Sequence, residues 1–594
     1  MKKTLLALIF LSCFTFLHAA GELFDFYIPW NDSAKTVIDM SSFVNRDIDA
    51  DGFVQADANG HFNVSSGRIK FWGTNTTFNG NFPSLTNSPS VAARLAKYGF
   101  NIVRFHHMDM SDIWTTVNPD RTISAAKLDR MDYFIYQLKQ NGIYSDLNLL
   151  VSRPFAQGTE LNADINLVFD WKVRAVLGFF DPANKALQKK FAYDLLTHVN
   201  PYTGNAYINE PAVAFIEINN ENGLVHAFLS SQLDALPPYY DGLLNTQWND
   251  WLKSRYASQA ELETAWNVIN QPLGAEMVLN GRFITGVLSP WNYNPQPDVT
   301  GTGTVEAGAG PGGLNAARID VTTAGSAGWS VQFNQGNLNM TAGVPYTITF
   351  YAKADTNRTI SVELGMAHDP WSNLGFSANI NLTSSWQLFT FSFTPGVSDT
   401  NARLNFSNMG LVSGASYWFT DISLKQGGVL GLKDGEGLYT TGIENFKKGF
   451  PARTQDGAKD WYRFLTYTEE NYWVEMRDYI QDTLGVNSIV FGTILGCSNP
   501  NMQANFQAID THSYWEHPQF PGTPWDPVNW YLTNRAMVNY PAESTIASLA
   551  TKNVLNRPHL VTETNSPHPG TFSSDHSFIT SAYASFQDWD AVFP

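Results

Sequence analysis

Cysteine is nearly absent: the chain has two in 594 residues. One, Cys13, sits inside an N-terminal apolar run, so removal of that run leaves Cys497 alone. No intrachain disulfide and no cysteine metal cluster can then form. Charge is also scarce, at 15% of residues, and unbalanced, with 37 Lys and Arg against 54 Asp and Glu. The formal net charge of −17, with no visible basic patch, argues against a nucleic-acid or anionic-membrane partner. A neutral substrate fits better than a polyanion, although a local cationic subsite stays open. No membrane span follows the N-terminus, no tandem repeat is evident, and no oligomeric state follows from the sequence. What is abundant is aromatic: 14% of residues, including 18 Trp and 24 Tyr. Composition alone favours a large aromatic core over sugar-stacking faces as the reason.

Lys2 and Lys3 precede an apolar stretch from Leu5 to Leu17 that ends at Ala19 and Ala20. This is the pattern of an export signal, too short for a comfortable membrane span, with cleavage near Ala20. A secreted protein, extracellular or periplasmic, is expected. Phe10-Leu11-Ser12-Cys13 makes a poor lipobox, so lipoprotein anchoring is the weaker reading.

A chain this long implies several domains. After the signal (1–20), residues 21–70 read as a β-rich lead-in packed on the domain that begins at Phe71. From Phe71, short apolar strands alternate with amphipathic helices, the sign of parallel βα units. Strands are expected at Phe71–Asn75, Asn101–His106, Tyr144–Val151 and Val213–Ile218. Ser88-Pro89 supplies a helix start, and Gly99 and Gly142 supply stops. Within 277–426 helix periodicity vanishes and Gly, Thr, Ser and Asn rise, between strand-like runs such as Tyr346–Ala352 and Tyr417–Leu424. That interval predicts an inserted antiparallel β-sandwich of jelly-roll form. The βα pattern resumes over 427–594, with strands at Ser488–Leu495, Ala508–Tyr514 and His559–Thr564. Ala591–Pro594 opens an eighth strand, and the helix expected after it is missing, which suggests a truncated C-terminus. Eight strands (four in 71–276, four in 427–594) predict an α/β fold, a (β/α)8 TIM barrel carrying the sandwich as an insertion.

In such a barrel the functional side chains gather at the C-terminal strand ends. Strand four ends Glu217-Ile218-Asn219-Asn220-Glu221, and strand seven ends Val561-Thr562-Glu563-Thr564. Two carboxylates at two strand ends across one mouth are what glycosidic cleavage needs: one protonates the leaving oxygen, the other attacks or stabilises the anomeric carbon. A lone Glu at a strand end is weak evidence; Asn-Glu together with a second Glu is more specific.

The pairing resembles glycoside hydrolase clan A, and Ala214 to Glu221 resembles the strand-four motif of cellulase-family (family 5-like) enzymes. The resemblance covers most of the barrel outside the insertion, while Trp248 to Trp266 looks like the matching region of family 42-like β-galactosidases. It implies Glu221 as acid/base, Glu563 as nucleophile and retention of configuration. It also implies Asn220 on the substrate 2-hydroxyl, and Arg104 and Tyr514 steadying the nucleophile. Trp589 is a weak candidate for the clan's strand-eight aromatic platform. Glu221 is expected to hold a proton in a partly desolvated site. His106 reads as a partner of substrate or of a catalytic Glu, with a packed structural histidine equally weighed. Asn148, His512 and Trp515 are supporting candidates. Glu217 reads as a buried ion-pair partner. His106, His107 and Asp109, or His512 and His517, lack zinc-site spacing, so no metal is assigned and no cofactor is required.

In the insertion, Leu279 to Phe283, Thr347 to Ala354 and Trp418 to Leu424 resemble carbohydrate-binding modules of the family 4/9 type. Trp371 is the first candidate for stacking on a sugar, then Trp291 and Tyr293, whereas Trp329, Trp386 and Trp418 read as core. A structural calcium ion there is left open, as is a purely structural insertion. The expectation is a secreted retaining hydrolase, endo-acting on a neutral β-linked polysaccharide such as a β-glucan or β-mannan. An agarase or β-galactosidase, and a non-catalytic polysaccharide-binding protein, are the alternatives. A metal-dependent amidohydrolase would want His-x-His where Gly73-Thr74-Asn75 stands.

Overall fold

The computed structural model describes residues 35–110, 113–115, 122–158, 160–267, 270–448, 453–521 and 523–594. The expected export signal, Cys13 included, lies outside the described residues. Eight parallel strands form one sheet: β1 (Phe71–Thr77), β2 (Ile102–His106), β3 (Tyr144–Asn148), β4 (Val213–Glu217), β5 (Ile489–Phe491), β6 (Ile509–Tyr514), β7 (His559–Asn565) and β8 (Ala591–Val592). Their spatial order is β5-β4-β3-β2-β1-β8-β7-β6. The open side is bridged by a parallel contact between Ile494 and Asp510 and a 2.9 Å hydrogen bond from Leu495 N to Asp510 O. The result is a nearly closed parallel barrel. Among the described residues, each of β1 to β7 is followed by at least one helix before the next strand.

The local reasons match the expected punctuation. Gly99 and Gly142 both take positive φ, 78° and 72°, where a side chain is strained. A Cβ on Gly142 would also meet the Val44 carbonyl oxygen at 2.2 Å. The helix expected from Trp461 starts earlier, at Gln455, because Thr454 accepts a hydrogen bond from Gly457 N and caps it.

The lead-in differs from the β-rich expectation. It holds two one-turn helices, Ser41–Val44 and Ile48–Asp51, before three short antiparallel strands, Gln55–Ala56, Phe62–Val64 and Gly67–Arg68. Phe62 is fully buried, its ring 5.8 Å from Phe71 and 5.0 Å from Phe215. Phe71 and Tyr144, themselves 5.6 Å apart, begin β1 and β3, so this aromatic group plugs the N-terminal end of the barrel.

The segment between helix Gln259–Trp266 and helix Gln455–Asp478 folds into two five-stranded antiparallel sheets. One runs Gln387–Phe393, Tyr346–Ala354, Ala415–Gln426, Ala316–Thr323, Thr300–Glu306. The other runs Asn373–Leu382, Arg358–Met366, Asp399–Ser407, Val331–Met340, Asn292–Pro295. Their apolar core shares no residue with the barrel core. The chain enters and leaves through a paired neck, with antiparallel bridges joining Gln271 to Val429 and Glu276 to Lys425. Among the described residues, no helix is long and apolar enough to cross a membrane.

Replacing Phe62 with Ala empties the plug, and urea denaturation is expected to show a loss of about 3–5 kcal/mol for the barrel transition. A loss under about 1 kcal/mol would show that the ring is not a packing element.

Candidate functional site

Arg104, on β2, is fully buried and points along the barrel axis into a ring of acceptors. Its Nε donates to Glu217 Oε2 (2.8 Å), Nη2 to Asn220 Oδ1 (2.9 Å), and Nη1 to both Asn75 Oδ1 (3.1 Å) and Glu563 Oε1 (2.8 Å). A guanidinium is rigid, planar and always charged, which suits it to fixing several oxygens at once. Burial raises the pKa of Glu217 to about 7 and carries Asp146 well above the carboxylate range, so both resist ionisation beneath it. Glu217 still meets the guanidinium at 2.6 Å, the buried pairing with a cation expected from the sequence.

β4 pairing continues past Glu217, with Ile218 N and Asn219 N donating to the Phe491 and Gly492 carbonyls of the β5 side. The chain then turns at Glu221, whose φ of 50° is unusual for a residue with a side chain and marks local strain. That turn sends the Glu221 carboxyl back over the mouth. Its Oε1 meets His512 Nδ1 at 2.8 Å, and its Oε2 accepts from Lys172 Nζ at 3.0 Å. One carboxyl oxygen of Glu221, one of Glu563 and a ring nitrogen of His512 lie within 4.8 Å of one another.

Donors converge on Glu563 from β2 and β6. Besides Arg104, the Tyr514 hydroxyl donates to its Oε2 at 2.5 Å, and His106 Nε2 lies 3.2 Å from Oε1. Burial alone would push this carboxyl up; His512, Arg104, His106 and Tyr514 together hold it well below the usual range. Glu221 behaves similarly. Burial raises it, but the His512 hydrogen bond and charge, with Lys172, bring it down to about 2. The His512 and Lys172 contacts thus oppose the proton that the acid/base reading gives Glu221 and favour its residence on His512. Burial opposes the imidazolium, yet Glu563, Asp510 and Glu221 raise His512 well above its ordinary value.

The supporting candidates divide. Asn148 is buried and its Oδ1 lies 3.0 Å from His106 Nδ1, so it orients that ring. His106 meets a site carboxylate, as one of its two readings had it. Asn220 gives Oδ1 to Arg104, leaving Nδ2 without a protein partner among the described residues. Trp515 does not face the mouth; it is buried, donates to the Arg535 carbonyl at 2.8 Å, and lies under that guanidinium at 5.1 Å. Trp589 precedes β8 and packs with Ile546, Leu549, Val561 and Ala584, at the strand end away from the mouth. It is no platform. Asp109 is a buried acceptor for the backbone N–H groups of Val151, Ser152 and Arg153, which fixes the loop after β3. His107, just past β2, has a φ of 52° and stacks on Phe78 at 4.5 Å.

Lys172 is the residue that sequence reasoning missed. It sits on helix Trp171–Val176 in the long β3 connection, where no periodicity points at a strand end. The Glu221, His512 and Glu563 group has metal-like spacing. Arg104, Lys172 and Tyr514 already donate to those carboxylates, and the two positive charges oppose a cation there. Chemically, one carboxylate kept ionised beside another carboxyl on a proton-bearing partner suits a nucleophile and an acid/base.

In the sandwich, Trp371 is 56% exposed and borders a cavity of about 370 Å3 lined by Asn292, Asn294, Asn334, Asn337 and Arg403. Arg403 stacks on its ring at 5.0 Å and donates to Gln332 at 3.0 Å. A flat ring flanked by amides suits the C–H face and hydroxyls of a sugar. Trp291 is instead 3% exposed and stacks on Phe333 at 5.0 Å, and Tyr293 packs against the same core. Trp329, read as core, is exposed. Trp386 and Trp418 are half-buried on the other sheet, sharing Lys353 at 5.3 and 4.9 Å. Among the described residues, no cluster of three acidic, His or Cys ligands for calcium falls in this segment.

Residues 275–409 match the family model described as a carbohydrate binding domain, CBM_4_9, and this part of the chain is such a domain. The chain is similar to a solved structure described as "CBM4 structure and function", at 30% identity, covering 25% of this chain and 99% of that one, with a TM-score of 0.22. It is also similar to the N-terminal cellulose-binding domain of Cellulomonas fimi β-1,4-glucanase C, at 20% identity, 24% and 96% coverage and a TM-score of 0.19. A third is TmCBM61 in complex with β-1,4-galactotriose, at 17% identity, 26% and 99% coverage and a TM-score of 0.19. No curated protein matches the chain.

Two outcomes are expected. Trp371→Ala weakens polysaccharide adsorption about tenfold, whereas Trp291→Ala lowers the melting temperature of the sandwich; equal adsorption by Trp371→Ala and the parent refutes the assignment. Selective ¹⁵N-histidine spectra, assigned with His512→Gln, should show His512 keeping its imidazolium form to higher pH than a free histidine and His107 neutral down to about pH 4. The sign follows from the shifts. Stability from His512, full below about pH 6.5, is lost as pH rises through its raised value; stability from Glu563 is lost as pH falls through its lowered one.

Proposed function

We propose that the protein is a secreted retaining glycoside hydrolase that cleaves a β-linked polysaccharide. In this reading the nearly closed parallel barrel is a (β/α)8 barrel of the clan A type, and the carbohydrate-binding domain holds the polymer near it. The observation that carries the reading is the approach of the Glu221 and Glu563 carboxyl oxygens to within 4.8 Å. Retention calls for carboxyl groups about 5–5.5 Å apart, and inversion for about 6.5–9.5 Å.

The chemistry assigns one role to each group. A Glu563 carboxylate oxygen attacks the anomeric carbon as the glycosidic C–O bond breaks, and Glu221 passes to the departing oxygen a proton taken from the His512 imidazolium 2.8 Å from its Oε1. A water then loses a proton to Glu221 while its oxygen displaces Glu563 from the sugar. Arg104 and Tyr514 keep Glu563 anionic before attack and orient the oxygen that does not react. His512 supports Glu221 from one side, and its position beside both carboxyls lets it compensate whichever is charged. The free Nδ2 of Asn220 faces the remaining need, a donor for the sugar 2-hydroxyl.

The purified full-length protein, screened on a polysaccharide panel, should release reducing ends. Glu221→Gln is expected to lose about 10²–10⁴-fold in rate on substrates with poor leaving groups, and Glu563→Gln at least as much. Azide should rescue Glu563→Ala and yield a glycosyl azide of inverted anomeric configuration. Undiminished hydrolysis by either Gln variant ends the proposal. Activity should survive chelator treatment.

A further inference from the structure

Both oxygens of Glu221 are occupied by cationic donors, His512 on Oε1 and Lys172 on Oε2. A carboxyl that must present a proton to a leaving oxygen cannot keep both. His512 is the fixed member. It is buried, and its other nitrogen lies 2.8 Å from Thr562 Oγ1 and 3.2 Å from Asp510 Oδ2. Lys172 is the movable one. Its side chain is 34% exposed, on a flexible four-carbon stem, and Glu221 is its only carboxylate partner among the described residues. Its ammonium has three donors, and the one protein acceptor uses one of them. The groups that share its electrostatic surroundings are Glu221, Glu563, Cys497, His107 and His226, with Trp171 alongside at 5.6 Å. None of these except the two site carboxylates offers a negative charge at neutral pH.

We propose that Lys172 is the recognition site for an anionic substituent, a carboxylate or a sulfate ester, on the polysaccharide, and that its transfer from Glu221 to that substituent frees Glu221 to serve as the acid. The inference rests on the reading of Glu221 as acid/base. On a neutral polymer nothing draws Lys172 away, and the carboxyl stays clamped in its ionised form. On an acidic polymer the ammonium exchanges one anion for another, so no charge is left unpaired in the site. The net charge of −17 does not forbid this. At physiological salt the field of distant acids is screened beyond about 8 Å, and recognition is confined to the contact itself. This is the local cationic subsite that the overall charge left open.

The test pairs polymers that differ only in the anion: a β-linked glucuronate-containing polysaccharide against its carboxyl-reduced form, and a sulfated one against its desulfated form. The full-length parent should show a kcat/KM about tenfold higher on the anionic member of at least one pair, and which pair responds identifies the anion. Lys172→Met should lower kcat/KM on that anionic polymer and raise it on the neutral counterpart, a crossing that general damage to the fold would not produce. In a Glu563→Gln background, calorimetry should find the anionic fragment about tenfold tighter, with the difference gone when Lys172→Met is added. Lys172→Met lowering both polymers alike, or equal binding of the two fragments by Glu563→Gln, overturns the role of Lys172. Undiminished hydrolysis by Glu221→Gln would instead overturn the reading beneath it.

Discussion

One buried guanidinium organises the centre of the molecule. Arg104 has no water to solvate it, so its charge must be met by protein oxygens, and they arrive from four strands: Asn75 on β1, Glu217 and Asn220 at the end of β4, Glu563 on β7, with Asp146 of β3 at 3.9 Å. Removing the Glu563 carboxylate would leave that buried charge without its ionised partner, at a cost on the order of several kcal/mol. The same constraint explains why Glu563 is ionised while Glu217 and Asp146 resist ionisation. One positive charge cannot neutralise three carboxylates, and the one nearest the mouth has Tyr514, His106 and His512 as further support.

The barrel was legible because its signals are local and repetitive. Short apolar strands, helix stops at Gly99 and Gly142, and the Glu residues at two strand ends each need only a few neighbouring residues to be read. The pair Glu221 and Glu563 followed from counting strands, although 342 positions separate them. The contacts around them were anticipated by resemblance for Arg104 and Tyr514, and were not where the backbone leaves the strand. His107 and Glu221 both adopt positive φ, which no alternation rule anticipates. Lys172 arrives from a connection with no periodic pattern. The protonation of Glu221 was not legible, because the sequence cannot say that two cations share its oxygens.

The sandwich was legible as a region and less so strand by strand. Thr300–Glu306 looks like a turn because of Gly301 and Gly303, yet it is a strand. The glycines are there because Tyr293 lies over them, and a Cβ on Gly303 would sit 2.8 Å from the Tyr293 Cβ. Trp329 departs from its core expectation for a related reason. It belongs to a short turn, Gly328–Ser330, and the strand begins only at Val331, so its side chain does not follow the strand's alternation. Trp291, between Pro290 and Asn292, has the neighbours of a loop residue but the burial of a core one.

The paired neck at Gln271 with Val429 and Glu276 with Lys425 governs what the insertion can contribute. A module on a single flexible tether explores a sphere whose radius grows with linker length, and much of that volume faces away from the rest of the chain. Two chain crossings zipped to each other leave a pivot in place of a tether. A carbohydrate held by the sandwich is then kept within a narrow range of directions from the barrel, a restriction that a single linker would not impose.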